Sequence, residues 1–493
     1  MSEQPLIIDA IINGKKHRSV EQSPRENPAH PEEIVGYAPL NSKEETIQAI
    51  DAAHDAFTNW RQSSIKDRVE RMRKAIQKMK DATPEITALL SKEHGKPLYD
   101  SEGEMGVSLA WMEFACDHAE EVLSNEVEPH ADGGKTMIAK DAIGVVSAIT
   151  PWNYPISLST IKIAPALLAG NTMVLKPSPL APLAVSKVVE IIANEFPPGV
   201  LNMVHGDADV GVELTSNPKV DKIAFTGGTE TAKHIMKAAA DTIKHMTLEL
   251  GGNDAAIVLD DFNVHDEQAM RRLVVSNFLT AGQICMIAKR IYVDRKIYDA
   301  FVEKYIEAAN KWIRVGEPFN KDVTVGSVNN KKQVEFVQSL IDDAKSRGAD
   351  VIKLGKVLDS DLYDKGYFMQ PTVVLGADYK DPIVTEEQFG PTVPILPFDD
   401  DEHAIDLAND SIYGLTSSVW GDEEHAIKVA QRIQAGTTMI NTAAVQGLDV
   451  RFPFGGVKQS GMGREYGKEG LLAYVETHII NAPKKLDLPY IPK

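Results

Sequence analysis

Cys285 stands in "LTAGQICMIAKR", after a glycine and a glutamine and before a basic, strand-like run, and it is one of two cysteines in 493 residues. An arbitrary cysteine is most often a small buried hydrophobe. Cys116, in "WMEFACDHAEEV", fits that reading, with a helical context, apolar neighbours and no glycine. Cys285 differs: "TAGQIC" ends a helix at Gly282 and puts the thiol in a non-helical turn, where backbone freedom and exposure suit a nucleophile. Glu249, in "LELGGN", lies between two leucines and before Gly251 and Gly252. A carboxylate in apolar surroundings has a raised pKa, which suits a general base near neutral pH; a salt-bridged glutamate on a strand edge is the other reading. Asn153, in "TPWNYP", follows a strand in a loop stiffened by Pro151 and Pro155, at the carboxyl end where α/β sheets bind ligands. Its NH2 group can face a developing oxyanion, or it is simply a turn asparagine. In "AFTGGTETA" a strand ends in glycines and a helix begins, the arrangement that binds phosphate through free N–H groups and the helix dipole. Gly227 and Gly228 are adjacent, however, and Ala232 stands where a later glycine belongs in G-x-G-x-x-G, so an ordinary βα turn explains that stretch equally well.

The elements that must position these residues alternate. "SKEETIQAIDAAHDAFTNW" puts Ile47, Ile50, Ala53, Ala56 and Phe57 on one helical face, with Ser42 as N-cap. "VEPHADGGKTMIAKDAIGVV" reads as two strands around an Asp-Gly-Gly turn. From about residue 143, strand-like "IGVVSAIT", "TMVLK", "GVLNMVHG" and "KIAFTGG" alternate with helix-like "ISLSTIKIAPALLAG", "PLAVSKVVEIIANEF", "DVGVELTSN" and "TETAKHIMKAAAD". Short apolar strands separated by helices predict βαβ units and a parallel sheet. The alternation restarts after Gly252 with "AAIVLD", a helix near 265–279, "KRIYVD" and a helix near 296–313, which predicts a second α/β domain. The tail "LLAYVETHIINAPKKLDLPYI" is β-rich and suited to pairing with a partner chain's edge.

Composition bounds the function. A chain of 493 residues exceeds one ordinary core. Its 43% hydrophobic and 25% charged content is that of a soluble globular enzyme. A formal net charge of −19 argues against non-specific nucleic-acid binding. Two cysteines make no disulfide framework and point to a reducing compartment. The start lacks the order of a signal peptide and no apolar run is long enough to span a membrane, so the expectation is a cytoplasmic protein.

Together these stretches resemble the aldehyde dehydrogenase superfamily over nearly the whole chain. Its landmarks appear in family order: "PWNYP", "KPS", "FTGGTE", "LELGGN", "GQIC", "EEQFGP" and "PFGGVKQSGMGREYG". The resemblance implies an α/β fold with a Rossmann-like cofactor domain (1–122 and 142–252), an α/β catalytic domain (253–460) and a small β arm for oligomerisation (123–141 and 475–493). It implies Cys285 as nucleophile, Glu249 as general base and Asn153 as oxyanion donor with the backbone N–H of Cys285. Glu465, of "GRE", matches an acidic residue that assists proton transfer. Thr150, Trp152, Lys176, Ser178, Thr226, Gly227, Gly228, Thr229, Leu250, Glu387 and Phe389 match cofactor contacts. Among these, Lys176 matches the lysine at the adenosine ribose, and Glu387 and Phe389 match the pair at the nicotinamide ribose and ring. The implied cofactor is NAD or NADP, with no metal, and the implied assembly is a homodimer or homotetramer acting on a small aldehyde, with no nucleic-acid or membrane partner.

Three positions depart from the family's pattern. Gly228 stands where many members have serine, Ala232 replaces a glycine, and Pro179 stands where many NAD-preferring members have a glutamate. Proline can neither bond the ribose hydroxyls nor repel a 2′-phosphate, so relaxed cofactor choice is the expectation. Two other functions compete: a CoA-acylating enzyme, against which Glu249 argues because members of that type generally lack this glutamate, and a structural protein that kept the fold and lost the activity. By family analogy Tyr154, Leu158 and Ile161 line one wall of the substrate tunnel and suggest a medium aliphatic or aromatic aldehyde. Arg451, in "LDVRFPFGG", is either a surface or interface arginine or a partner for an anionic aldehyde at the tunnel mouth.

Overall fold

A computed structural model describes residues 4–484. The tail beyond 484, part of the expected arm, lies outside the described residues. The strands form two large sheets. The first has eight strands in the order Gly461–Met462, His245–Glu249, Lys222–Thr226, Val145–Ile149, Thr172–Lys176, Leu201–Met203, Ala10–Ile12 and Lys15–His17. Its five central strands are parallel; Gly461–Met462 and Ala10–Ile12 pair antiparallel with them, and Lys15–His17 pairs antiparallel with Ala10–Ile12. The second has seven strands, of which Asp254–Val258, Ala288–Asp294, Thr392–Phe398 and Thr416–Trp420 form the parallel centre. Residues of the Lys222–Thr226 and Asp254–Val258 strands are buried throughout, as parallel strands covered on both faces must be. The alternation read from sequence is thus the alternation of the fold, and the restart after Gly252 is the entry into the second sheet.

The helices answer the expected periods with small shifts. Ser42 caps the Lys43–Trp60 helix in a reciprocal capping box with Glu45. The buried face of that helix is Thr46, Ala49, Ile50 and Ala53, closed by Trp60, whereas Ile47, Ala56 and Phe57 are half-buried. The face turns toward the smaller residues because the helix packs tightly against the Thr172–Lys176 strand, where alanines permit close approach. The Asp-Gly-Gly hairpin is present as Glu126–Pro129 paired with Lys135–Ala142. The strand Val475–Ala482 completes this small sheet by pairing with Lys135–Ala142 of its own chain and forms its edge. Among the described residues, no helix is long and apolar enough to cross a membrane.

Candidate active site

The carboxyl ends of the first sheet's strands and the amino ends of the second sheet's strands face one cleft. In register, Thr226 pairs with Glu249 and Ile149 with Lys176, so Asn153, Thr226 and Glu249 leave the sheet along one edge. From Glu249 the chain passes through Leu250–Asn253 directly into the Asp254–Val258 strand. The glycines of "LELGG" have a spatial reason. A Cβ on Gly251 would meet Glu387 Oε2 at 2.4 Å, and one on Gly252 would meet the Cys285 carbonyl at 2.6 Å. Gly252 N–H donates to Glu387 Oε1 at 3.0 Å.

Two cavities meet at Cys285. The outer one is lined by Trp152, Gly227, Gly228, Glu387 and Phe389 among others. The inner one is lined by Glu249, Glu465 and an apolar wall. Asn153, Leu158, Thr226, Leu250 and Cys285 belong to both, so the thiol stands at the waist between them. Cys285 is half-buried while Cys116 is buried. Burial pushes the Cys116 thiol up to about 12, as an inert core cysteine requires. Burial, and then the carboxylates of Glu387, Asp254 and Glu249, also push the Cys285 thiol up, and Lys289 opposes them.

The turn that presents Cys285 is strained. Thr280 (φ 50°) and Ala281 (φ 53°) are both left-handed, followed by Gly282 at φ 75°. Non-glycine residues in that region cost on the order of 1–3 kcal/mol each and persist only where the surroundings over-determine them. Here they do. Thr280 Oγ1 donates to Asp100 Oδ2 at 2.5 Å, and Gln283 Nε2 donates to the Thr280 carbonyl at 2.9 Å. The buried Lys289 ammonium donates to the carbonyls of Gly282 (3.0 Å) and Ile284 (2.9 Å) and lies 5.2 Å from the centre of the Phe389 ring. Burial lowers Lys289 to about 8 against the pull of Glu387 and Asp254.

Asn153 is held by its backbone. Its carbonyl accepts from the buried Lys96 ammonium at 2.8 Å, which leaves the side-chain amide in the wall of both cavities. Lys96 is paired with Glu104 at 2.7 Å, both side chains fully buried. Glu104 Oε1 accepts from the N–H groups of Ile156 (2.7 Å) and Ser157 (3.1 Å). It thereby caps the Pro155–Leu168 helix, whose own N-cap residue supplies no side-chain bond. Tyr154 Oη donates to Asp100 Oδ1 at 3.0 Å and lies 3.0 Å from Thr280 Oγ1, tying the asparagine loop to the cysteine turn.

Neither carboxylate oxygen of Glu249 has a hydrogen-bond partner among the described residues. Burial first, and the neighbouring Glu465 carboxylate second, push its pKa well above the usual carboxylate range, as read from its leucine neighbours. Glu465 is ion-paired to Lys162, whose ammonium also donates to Thr226 Oγ1 at 2.7 Å.

The remaining expected residues divide. Trp152 and Phe389 meet edge to face at 5.4 Å in the outer cavity. Gly228 is the N-cap of the Thr229–Ala239 helix and gives it no side-chain bond, and nothing would obstruct a Cβ there. Thr150, Lys176, Ser178 and Thr229 lie outside the cavity lining. Thr150 is buried against Ser159 Oγ at 3.1 Å. Ser178 Oγ accepts from Leu180 N–H at 3.2 Å in a turn, and the Thr229 hydroxyl donates to the Gln459 carbonyl at 3.3 Å. Lys176 ends its strand, buried and lowered to about 8 by desolvation, with Pro179 exposed just beyond it. Tyr154, Leu158 and Ile161 all line the inner cavity. Arg451 does not: its side chain is 69% exposed and pairs with Asp449 at 2.6 Å. Sequence reasoning missed Lys96, Asp100, Glu104, Thr280 and Lys289. A lysine four residues after the cysteine was in view, but nothing local marks its ammonium as turning back onto the loop.

Comparison with known proteins fits this geometry. The sequence model of the aldehyde dehydrogenase family matches residues 15–480. The chain belongs to the aldehyde dehydrogenase family and is an oxidoreductase of that family. It is 36% identical over 477 residues to the succinate-semialdehyde dehydrogenase (NADP(+)) GabD of Escherichia coli K12, covering 96% of both chains. It is 36% identical over 451 residues to the geranial dehydrogenase of Castellaniella defragrans, covering 90% of this chain and 92% of that one. A crystal structure of the betaine aldehyde dehydrogenase of Staphylococcus aureus in complex with NAD+ superposes with a TM-score of 0.91 at 34% identity, covering 98% of this chain and 97% of that one.

Proposed function

We propose that this protein oxidises an aldehyde to its carboxylic acid with NAD or NADP, through a thioester on Cys285 that Glu249-activated water hydrolyses. The observation that carries this reading is the meeting of the two cavities at one thiol, with an amide donor and an unpartnered carboxylate in their walls. The outer cavity fits the cofactor. It offers an uncapped helix N-terminus for a pyrophosphate, the Trp152–Phe389 aromatic pair for a ring, and Glu387 for ribose hydroxyls. When bound, the nicotinamide supplies a hydride acceptor. Relatives named for NADP(+) and for a complex with NAD+, together with an exposed Pro179 in place of an acid, support acceptance of both cofactors. The residues 1–122 and 142–252 are assigned to cofactor binding, 253–460 to catalysis, and 123–141 with the chain's end from 475 to oligomerisation as a dimer or tetramer.

Each protein group has one task. Cys285 gives its proton to Glu249, directly or through water, and its sulfur adds to the aldehyde carbon. The Asn153 amide and the Cys285 backbone N–H hold the oxyanion, each such donor being worth roughly 3–4 kcal/mol. After hydride departure the acyl group remains on sulfur. Once Glu249 has passed the Cys285 proton on to solvent, its carboxylate takes a proton from water, which attacks the thioester carbon, expels the Cys285 thiolate and releases the acid. Only the carboxylate form of Glu249 can accept that proton. Deacylation therefore accelerates as pH rises through its raised pKa, and Gln at this position abolishes that dependence. Glu249→Gln tests the reading. The expected result is a burst of reduced cofactor of up to one per site, then turnover slower by roughly two or more orders of magnitude. A steady-state rate equal to wild type would remove Glu249 from the chemistry. Relatives are named for substrates as different as a carboxylated semialdehyde and a terpenoid aldehyde, so family membership leaves the substrate class open.

A further inference from the structure

From the walls of the inner cavity we infer that the aldehyde this site oxidises is neutral and largely hydrocarbon, aromatic or aliphatic, and that aldehydes ending in a carboxylate are poor substrates. The inference rests on the reading of Cys285 as the residue that attacks the aldehyde. Beyond the thiol the cavity is walled by Val107, Leu158, Ile161, Met286, Leu448 and Phe454. Among the described residues that line it there is no lysine, arginine or histidine. Its only charge-bearing side chains are the carboxyls of Glu249 and Glu465.

The cations nearby are committed elsewhere. Lys162 is bound to Glu465 and Thr226, Lys96 to Glu104 and the Asn153 carbonyl, and Lys289 to the carbonyls of the cysteine loop. Arg451, which the sequence left as either a surface residue or a partner for an anionic tail, is on the surface with Asp449. A substrate carboxylate would thus lose its water, meet no cation, and sit in one cavity with two acidic groups. An unpaired buried charge is among the most costly arrangements a site can hold.

The tyrosines of the cavity reinforce this preference. The Tyr154 hydroxyl is engaged by Asp100 and Thr280, with the Lys96 ammonium 4.0 Å from its ring centre. Tyr466 is buried, packed edge to face on Trp111 at 5.1 Å, and held at φ 58°. Such a backbone conformation costs energy and persists at sites where orientation matters. The wall is therefore rigid, aromatic and aliphatic, and built for a body without charge.

The test compares hexanal with adipate semialdehyde, which differ only in a terminal methyl or carboxylate, by kcat/KM and by mass-spectrometric detection of the acid product. The expected preference for hexanal is about a hundredfold or more. Ile161→Arg, which sets a cation in the wall, should narrow that ratio by about tenfold or more, whereas the uncharged Ile161→Met should not. Equal use of the two aldehydes, or preference for the carboxylate, would overturn the inference while leaving aldehyde oxidation intact. An unchanged ratio in a folded Ile161→Arg protein would overturn it too. Should Ile161→Arg not fold, the wild-type ratio decides alone. If neither these nor other aldehydes yield any acid, it is the underlying reading of Cys285 that fails.

Discussion

Lys289 sets a buried ammonium against the carbonyls on both sides of Cys285. It pulls the thiol downward while burial and three carboxylates push it up. Lys289→Met should raise the pH at which Cys285 reacts with iodoacetamide and slow alkylation near neutral pH by about tenfold, the equivalent of one pKa unit. Lys289→Arg should restore most of the rate. A lysine that only braced the loop would lower the melting temperature and leave the pH profile unmoved. At this scale the sequence is legible where a residue carries its own local chemistry. Cys285 after a glycine turn, Glu249 between leucines and Asn153 between prolines are of that kind. It is illegible where the chemistry is relational: Tyr154 and Thr280 are separated by 126 positions, and Lys96 meets the Asn153 carbonyl 57 positions away. For Arg451 the sequence left two readings, the surface and the tunnel mouth. Closeness to "PFGG" in sequence suggested the tunnel, but Asp449, two positions back, claims its guanidinium at the surface.

The Pro155–Leu168 helix shows how an element can place a site. It starts at a proline, carries no cap of its own, and depends on Glu104 for its first N–H groups. Lys96 neutralises that carboxylate and fixes the Asn153 carbonyl in the same stroke. Glu104→Gln retains the oxygen that accepts from both N–H groups but leaves a fully buried lysine without its partner charge. Urea unfolding should show a loss of about 3–5 kcal/mol, with kcat falling further than the lost fold accounts for. No measurable change in stability would mean that Lys96 finds another partner. The βα alternation that builds both sheets is readable because strand and helix periods are local properties. The strained turn at 280–282 is not, since no propensity favours left-handed threonine and alanine. Contacts from Asp100, Tyr154, Gln283 and Lys289 hold it.

For the whole molecule, the two sheets are joined where the chain crosses from Glu249 into Asp254, and the site forms at that crossing. The third structural part is the small sheet of Glu126–Pro129, Lys135–Ala142 and Val475–Ala482. It exposes the apolar side chains Val127 (51%), Ile479 (53%) and Ile480 (46%). If this arm joins subunits, the double change Ile479→Glu and Ile480→Glu should shift the sedimenting species to a smaller mass without unfolding the cofactor and catalytic parts. An unchanged mass would take the arm out of assembly.

The proposed chemistry requires a covalent bond to one sulfur. Glu249→Gln protein, mixed with an aldehyde and NAD or NADP, quenched in acid and digested, should yield the Cys285 peptide heavier by the acyl group, approaching one per chain. The Cys116 peptide should be unmodified, and Cys285→Ala protein should show no adduct. An acyl group elsewhere, or oxidised aldehyde released with Cys285 never modified, would contradict it.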